Sequence, residues 1–183
     1  MGPPLKLRAV DQEDLEVLSA CLQDALVPVQ DMRFLKDERR FVMVANRFCW
    51  ENLGGTAEQD DTREGTADDA PDNAPDNAQE GTQTAKAGAF ERVHCGITFE
   101  HVSHVQARGF SPGAAADQGR LLEVLAILVE DGALTVVFSG GAAVKLEVDK
   151  VEAFVQDMGE PWPTLWRPRH PMDDELDRDG GTR

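Results

Sequence analysis

The sequence predicts an α+β fold made mainly of an antiparallel β-sheet, with an N-terminal helix and a C-terminal capping helix. Segments in which apolar and polar residues alternate follow one another closely, and the turns between them have the length of hairpin loops. Helical spacing of apolar residues occurs near the two ends of the chain. Because hairpin connections favour an antiparallel meander, we expect a bent sheet or partly open barrel, with a strand order like that of the pleckstrin-homology-like (PH-like) architecture.

The N-terminal segment predicts a strand followed by a helix. Residues 5–10 alternate between apolar and basic side chains, which is typical of a short strand. Asp11 is a suitable N-cap, because its carboxylate can accept a hydrogen bond from a free amide of the first turn. Apolar residues then recur every three or four positions, which predicts an amphipathic helix over residues 12–25 that ends before Pro28.

Two further strands, over residues 29–35 and 41–50, are predicted on either side of a charged turn at residues 36–40. Alternation along the second strand assigns its side chains to two faces. One face carries Phe41, Met43, Ala45, Arg47 and Cys49, and the other carries Val42, Val44, Asn46, Phe48 and Trp50. Apolar residues on both faces predict that the first half of this strand is buried on both sides.

Residues 53–88 differ in composition from the rest of the chain. They contain almost no large apolar side chain, and the tetrapeptide Pro-Asp-Asn-Ala occurs twice in tandem at residues 71–78. Such a segment buries too little apolar surface to offset the ~1–2 kcal/mol per residue that ordering its backbone costs. We interpret it as a disordered acidic insert in a single domain that spans residues 1–172, and residues 173–183 as a disordered acidic tail.

The segment after the insert predicts a cluster of about four strands. They are expected over residues 90–110, 121–129, 134–139 and 144–148. A break or bulge is expected in the first of them, near residues 101–103. Gly140 and Gly141 predict a tight hairpin turn between the last two.

A capping helix is predicted over residues 150–158. Asp149 is a suitable N-cap and Gly159 a suitable terminator. The residues with helical spacing are Val151, Phe154, Val155 and Met158. The segment that follows, 161–171, is rich in proline and tryptophan, so we expect it to be irregular and to lie against the sheet.

The formal net charge of the 183 residues is −16. A field of this sign repels phosphate backbones and anionic membrane surfaces, so we expect neither nucleic acid nor a membrane as a partner. The chain has three cysteines, an odd number, and its N-terminus lacks the basic and apolar regions of a signal peptide. Both observations predict a cytoplasmic protein with reduced thiols.

Four candidate metal ligands lie close together in the sequence: His94, Cys95, His101 and His104. On one continuous strand His94 and His104 would share a face about 33 Å apart, at ~3.3 Å per residue. One zinc ion needs ligands about 2.0–2.3 Å from a single point. Cys95 falls on the apolar face, where a thiol is inert. Because there is also no glycine-rich phosphate loop followed by lysine, we expect no metal, no cofactor and no catalytic residue.

A second group of residues is better suited to binding. This candidate surface consists of Asn46, Arg47, Trp50, Glu51, Trp166, Arg167, Arg169 and His170. Arg47 lies among apolar strand residues, where a cation requires a carboxylate or a ligand anion as its partner. Two interpretations remain open, and we favour the second. Arg47 holds part of a ligand, or it pairs with Glu51 or another acid while the C-terminal segment plugs the open end of the sheet.

Five segments carry a resemblance to known proteins. They are LKLRAVDQED at residues 5–14, NRFCWE at 46–51, ERVHCGITF at 91–99, GAAVKLEVDKVEAFVQD at 141–157 and PRHP at 168–171. Together they resemble a family of short alphaproteobacterial proteins of unknown function, DUF2948, over most of the predicted core. The resemblance implies a bacterial cytosolic protein in which the acidic insert elaborates the family pattern. It supplies no activity, ligand or catalytic residue.

Three hypotheses for the function follow. The first is a non-enzymatic module that binds or assembles with a protein or peptide through the side carrying Arg47 and Trp50 and through the C-terminal segment. The second is an enzyme or metal-dependent protein, whose candidate residues are His94, His101, His104 and His170. The third is a regulator that contacts nucleic acid, which the net charge disfavours. We expect the first.

Overall fold

The structure, a computed structural model, describes residues 4–52 and 90–168. The strands are β1 (Lys6–Ala9), β2 (Leu26–Pro28), β3 (Met32–Leu35), β4 (Arg40–Phe48), β5 (Phe90–Phe99), β6 (Val102–Arg108), β7 (Leu121–Glu130), β8 (Ala133–Phe138), β9 (Ala143–Val148) and β10 (Ala153–Thr164), and the helix is α1 (Gln12–Leu22). They form one open sheet in the order β1-β10-β5-β4-β2-β7-β8-β9-β6, with β3 paired to β4. Every pairing is antiparallel. The predicted antiparallel sheet with a helix near the N-terminus is confirmed.

Helix α1 begins at the predicted cap. The Asp11 carboxylate accepts a hydrogen bond from the Asp14 amide at 2.9 Å. Its apolar face is buried through Leu15, Leu18 and Leu22. The helix ends earlier than predicted because Gln23 leaves the helical conformation, with a ψ of 136°. Asp24 then adopts a left-handed backbone conformation, with φ of 61°, and its amide donates to the Val124 carbonyl at 2.9 Å. Pairing with β7 therefore takes the chain out of the helix.

The two predicted faces of β4 are confirmed. The core face is buried at Met43, Ala45 and Arg47. The outward face is half-buried at Val44 and Asn46. The expectation that the first half of β4 is buried on both sides was wrong, since Val42 and Val44 on the outward face are only half-buried.

The strand structure is interrupted between β5 and β6, where a break or bulge was predicted near residues 101–103. His101 has a φ of 60°, and the pairing of β6 with β9 shifts register between Val102 and His104. The Val102 amide then donates to the Arg39 carbonyl at 2.8 Å. Beyond this corner β6 does not continue β5 but pairs with β9.

The predicted capping helix over residues 150–158 is wrong, because most of that segment belongs to strand β10. β10 pairs with β1 on one side and with β5 on the other. Ala153 and Val155 are buried, and Gln156 and Met158 are exposed, which is the two-residue alternation of a strand. The apolar residues of this segment fit both periods, and pairing with two neighbouring strands decides between them.

This correction changes two other expectations. Gly159 does not end a helix but lies in the register shift between Met158 and Trp162, with a φ of 82°. The segment after it continues as a strand to Thr164, although it contains two prolines. The PH-like comparison required the last helix as its closing element, so it does not hold for the open sheet.

One cluster of buried apolar residues forms the core, and both segments of the chain contribute to it. Its members include Met32, Phe41 and Met43 from the first segment, and Ile97, Leu134 and Val136 from the second. β4 and β5 pair from Phe41–Phe99 to Phe48–Arg92. The predicted insert at 53–88 and tail at 173–183 lie outside the described residues, and the boundaries of the single domain stay a prediction.

Candidate binding site at the end of β4

The site begins with a cation on the core face of the sheet. Strand alternation places Arg47 on the same face as Met43 and Ala45, two positions beyond the last apolar residue of that row. The side chain of Arg47 is only 1% exposed. An unpaired charge in such a position is costly, so the site depends on what surrounds the guanidinium group.

All five N–H groups of Arg47 donate hydrogen bonds. Nε and Nη2 donate to the two carboxylate oxygens of Asp157, each at 2.7 Å. Nη2 and Nη1 donate to the carboxylate of Glu51 at 2.7 and 3.1 Å. The last Nη1 bond goes to the Phe48 carbonyl at 3.3 Å. Arg47 therefore pairs with Glu51 and with a second acid, and the arrangement matches the structural interpretation of this residue.

Asp157, the acidic partner of Arg47, is also bound to the backbone of Leu5. Its side chain is 5% exposed and also accepts a hydrogen bond from the Leu5 amide at 2.8 Å. The Asp157 amide donates in turn to the Leu5 carbonyl at 2.9 Å. Arg47 on β4 and Asp157 on β10 thus also hold the beginning of β1 in place.

These contacts within the cluster of Arg47, Glu51 and Asp157 shift the pKa values of Arg47 and Glu51. Burial acts to lower the pKa of Arg47, but the hydrogen bonds that it donates to Asp157 and Glu51 outweigh burial and raise that pKa above its ordinary value. Burial likewise acts to raise the pKa of Glu51, and the hydrogen bonds from Arg47 overcome it and lower that pKa. Both shifts favour the charged forms of Arg47 and Glu51.

A cavity of about 360 Å³ lies beside the cluster. Its apolar walls are Pro4, Leu5, Cys49, Val93 and Pro161. Its charged lining is the Arg47 guanidinium and the carboxylates of Glu51, Glu91, Asp157 and Glu160. Since Arg47 is shared between two of the carboxylates, the cavity as a whole is negative.

The structure does not bring all the predicted surface residues together. Asn46 lies on the outward face of β4 and Trp50 lies two positions beyond the end of that strand. Neither residue lines the cavity that Arg47 and Glu51 line. The indole Nε1 of Trp50 donates to the Gln23 carbonyl at 3.2 Å, and its ring packs on Phe48 with centroids 4.5 Å apart. These two residues therefore belong to a different surface from Arg47.

The C-terminal members of the predicted surface also lie elsewhere. Trp166 is 81% exposed and Arg167 is exposed, so Trp166 does not plug the end of the sheet. Arg169 and His170 lie outside the described residues. The sequence interpretation missed Asp157, which the predicted helix concealed. Interpreted as a strand, the same residues place Asp157 on the face of Ala153 and Val155.

Comparison with known proteins gives one match. The sequence profile of a family described as "Protein of unknown function (DUF2948)" matches residues 5–70 and 73–170. The chain belongs to this family. No curated protein and no solved structure matches it. In this DUF2948 member, no helix among residues 4–52 and 90–168 is long and apolar enough to cross a membrane, and the cytoplasmic location stays a prediction.

The histidines of this DUF2948 member are held in separate surroundings. The His94 ring packs on Trp162 with centroids 4.6 Å apart. His101 Nε2 lies 2.8 Å from the Glu152 carboxylate, while His104 is exposed on β6. Within the described ranges, no three His, Cys, Asp or Glu side chains converge as metal ligands would. His170 lies outside those ranges.

The cysteines do not supply a nucleophile. Burial raises the pKa of Cys49 to about 11 and that of Cys95 to about 12. Burial also raises the pKa of Cys21, which is half-buried in α1. Because the thiolate is the reactive form, each of these shifts lowers the reactivity of the thiol.

Proposed function

We propose that this DUF2948 member is a non-enzymatic binding module that holds a segment of a protein or peptide in the cavity beside Arg47. The observation that carries the proposal is the cavity itself. Its volume of about 360 Å³ falls within the range of ligand sites, about 300–1,000 Å³. Apolar walls with a few convergent charged groups are the usual composition of such sites.

The ion cluster gives the cavity fixed polar groups. Asp157 locks the guanidinium of Arg47, and Arg47 in turn holds the carboxylate of Glu51 at the cavity wall. The side chain of Glu51 remains 50% exposed, so its carboxylate can still meet a ligand. A group that is already oriented loses little freedom on binding, which favours affinity.

Binding is favoured over catalysis by the surroundings of the titratable residues. The cavity lining contains no histidine among the residues described, and Cys49, which does line it, has its pKa raised by burial. A general base or nucleophile would need a pKa near the working pH. The carboxylates of the lining serve better as fixed charges for recognition.

Selection of displayed random peptides on the purified full-length protein tests the proposal. We expect recovered peptides to bind the wild type and to bind Glu160→Lys about tenfold more weakly, since the exposed Glu160 lies at the cavity. Glu130→Lys is the matched control, because Glu130 is exposed at the end of β7 and does not line the cavity.

Two results would overturn the proposal. One is a selection that enriches no peptide above a surface without protein. The other is peptide binding that Glu160→Lys and Glu130→Lys change equally, since this would place the peptide outside the cavity.

A further inference from the structure

A short exposed arm follows β10. Leu165 is 71% exposed and Trp166 is 81% exposed, although both are large apolar residues. Arg167 comes next and is exposed as well. Adjacent large apolar side chains at the surface mark sites of interaction, and tryptophan and arginine are the residues most enriched at the centre of protein interfaces.

The cavity beside Arg47 has the complementary chemistry. Its apolar walls suit an aromatic or aliphatic side chain. The charge of Arg47 is taken up by Asp157 and Glu51, which leaves the carboxylates of Glu91 and Glu160 to act on an incoming group. A ligand with an apolar body next to a cation therefore fits this cavity better than an anion does.

We infer that the occupant of the cavity is the arm Leu165–Trp166–Arg167 of a second copy of this chain. The inference rests on the proposed function and names the partner of the same cavity. Trp166 enters between the apolar walls, and Arg167 lies against the carboxylates of Glu91 and Glu160. Each copy offers one arm and one cavity, so two copies exchange arms reciprocally in a closed twofold dimer.

The path of β10 favours a second copy over the chain's own arm. β10 lines the cavity up to Pro161 and then stays paired with β5 until Thr164 meets Phe90. From Thr164, Arg167 reaches only about 10 Å even in extended form. To enter its own cavity, the arm would have to reverse direction within those three residues.

Sedimentation velocity of the full-length protein over a range of concentrations tests the inference. The wild type is expected to pass from monomer to dimer as concentration rises. Trp166→Ala and Arg167→Glu should each raise the dimer dissociation constant by about tenfold or more. Val17→Ala is the matched control. Val17 is 57% exposed on α1, so its substitution removes exposed apolar surface at a position away from the arm.

A charge exchange makes the test specific to the cavity. Glu160→Lys should weaken the dimer as Arg167→Glu does, and the double variant Glu160→Lys with Arg167→Glu should recover at least part of the loss. All these side chains are exposed, so thermal unfolding should show that the variants fold. A wild type that stays monomeric, or a dimer that tolerates these single substitutions, would overturn the inference.

A peptide with the sequence PTLWRP, residues 163–168, separates this inference from the proposed function. Its titration should show binding to the wild type and weaker binding to Glu160→Lys. Binding of the peptide by a chain that stays monomeric would reject the second copy and leave the peptide-binding function standing. If neither this peptide nor any selected peptide binds, both fail.

Discussion

Arg47 and Asp157 form a bidentate ion pair across 110 positions of the sequence. One residue precedes the segment 53–89 and the other follows it, so the pair joins the two described segments at the wall of the cavity. Because both side chains are almost fully buried, the pair ties the candidate site to the stability of the fold.

Removal of one partner of this pair should be costly. Asp157→Ala removes the acceptors of two of the five hydrogen bonds of a buried guanidinium. We expect a loss of about 3–5 kcal/mol in the free energy of unfolding. Glu51→Ala should cost at most about 1 kcal/mol, since that side chain is half-exposed. Urea unfolding monitored by circular dichroism measures both. Equal losses would show that the Arg47–Asp157 pair is not the dominant contact.

Acid should remove a second electrostatic contribution. Hydrogen bonds from Arg8 and His101 lower the pKa of Glu152 from its ordinary value of 4.5 to about 2. A carboxylate whose pKa is lower in the folded state stabilises the fold above the unfolded pKa. That contribution is lost as the pH falls from about 4.5 towards about 2.

The variant Glu152→Gln isolates this effect, because it removes the charge and keeps the shape. The difference in unfolding free energy between wild type and Glu152→Gln should shrink steadily as the pH falls through that window. Urea unfolding at successive pH values measures it. A difference that is independent of pH would mean that Glu152 is not stabilised as an anion.

Local patterns in the sequence predicted much of the fold, and contacts between distant residues decided the rest. Alternation in β4 placed Arg47 on the core face, and Asp11 marked the beginning of α1. The segment at β10 was mistaken for a helix because its apolar residues suit either period. Pairing with β1 and β5, which no local pattern contains, makes it a strand. The same error hid Asp157, and with it half of the candidate site.

Thiol labelling should follow burial. In the folded protein at about pH 8, Cys49 and Cys95 should react with iodoacetamide at least about a hundredfold more slowly than free cysteine does. Burial raises their pKa and blocks access of the reagent. The half-buried Cys21 should react first. Mass spectrometry of digested samples gives the rates, and labelling in denaturant, where all three react, is the control. Rapid labelling of Cys49 in the folded state would contradict its placement.

Gly109 and Gly113 have similar backbone conformations but different surroundings, so alanine substitutions at the two positions distinguish backbone strain from steric crowding. Gly109 has a φ of 80°, and a Cβ there would lie 3.1 Å from the Ala142 Cα. Gly113 has a φ of 84° and open space around it. Gly113→Ala should therefore lower the free energy of unfolding by only about 1–2 kcal/mol, which is the cost of an alanine in the left-handed conformation. Gly109→Ala should cost a further ~1 kcal/mol or more, because backbone must move. Equal losses in the free energy of unfolding, measured in urea, would contradict the close approach of Gly109 to Ala142.

The central claim is that the segments before and after residues 53–89 build one sheet and one core. A specific protease site introduced near residue 70 allows the purified protein to be cleaved into two fragments under native conditions. Because β4 pairs with β5 and both fragments supply core residues, the fragments should elute together in gel filtration and unfold in one cooperative transition. Fragments that separate without denaturant and remain folded would contradict the claim.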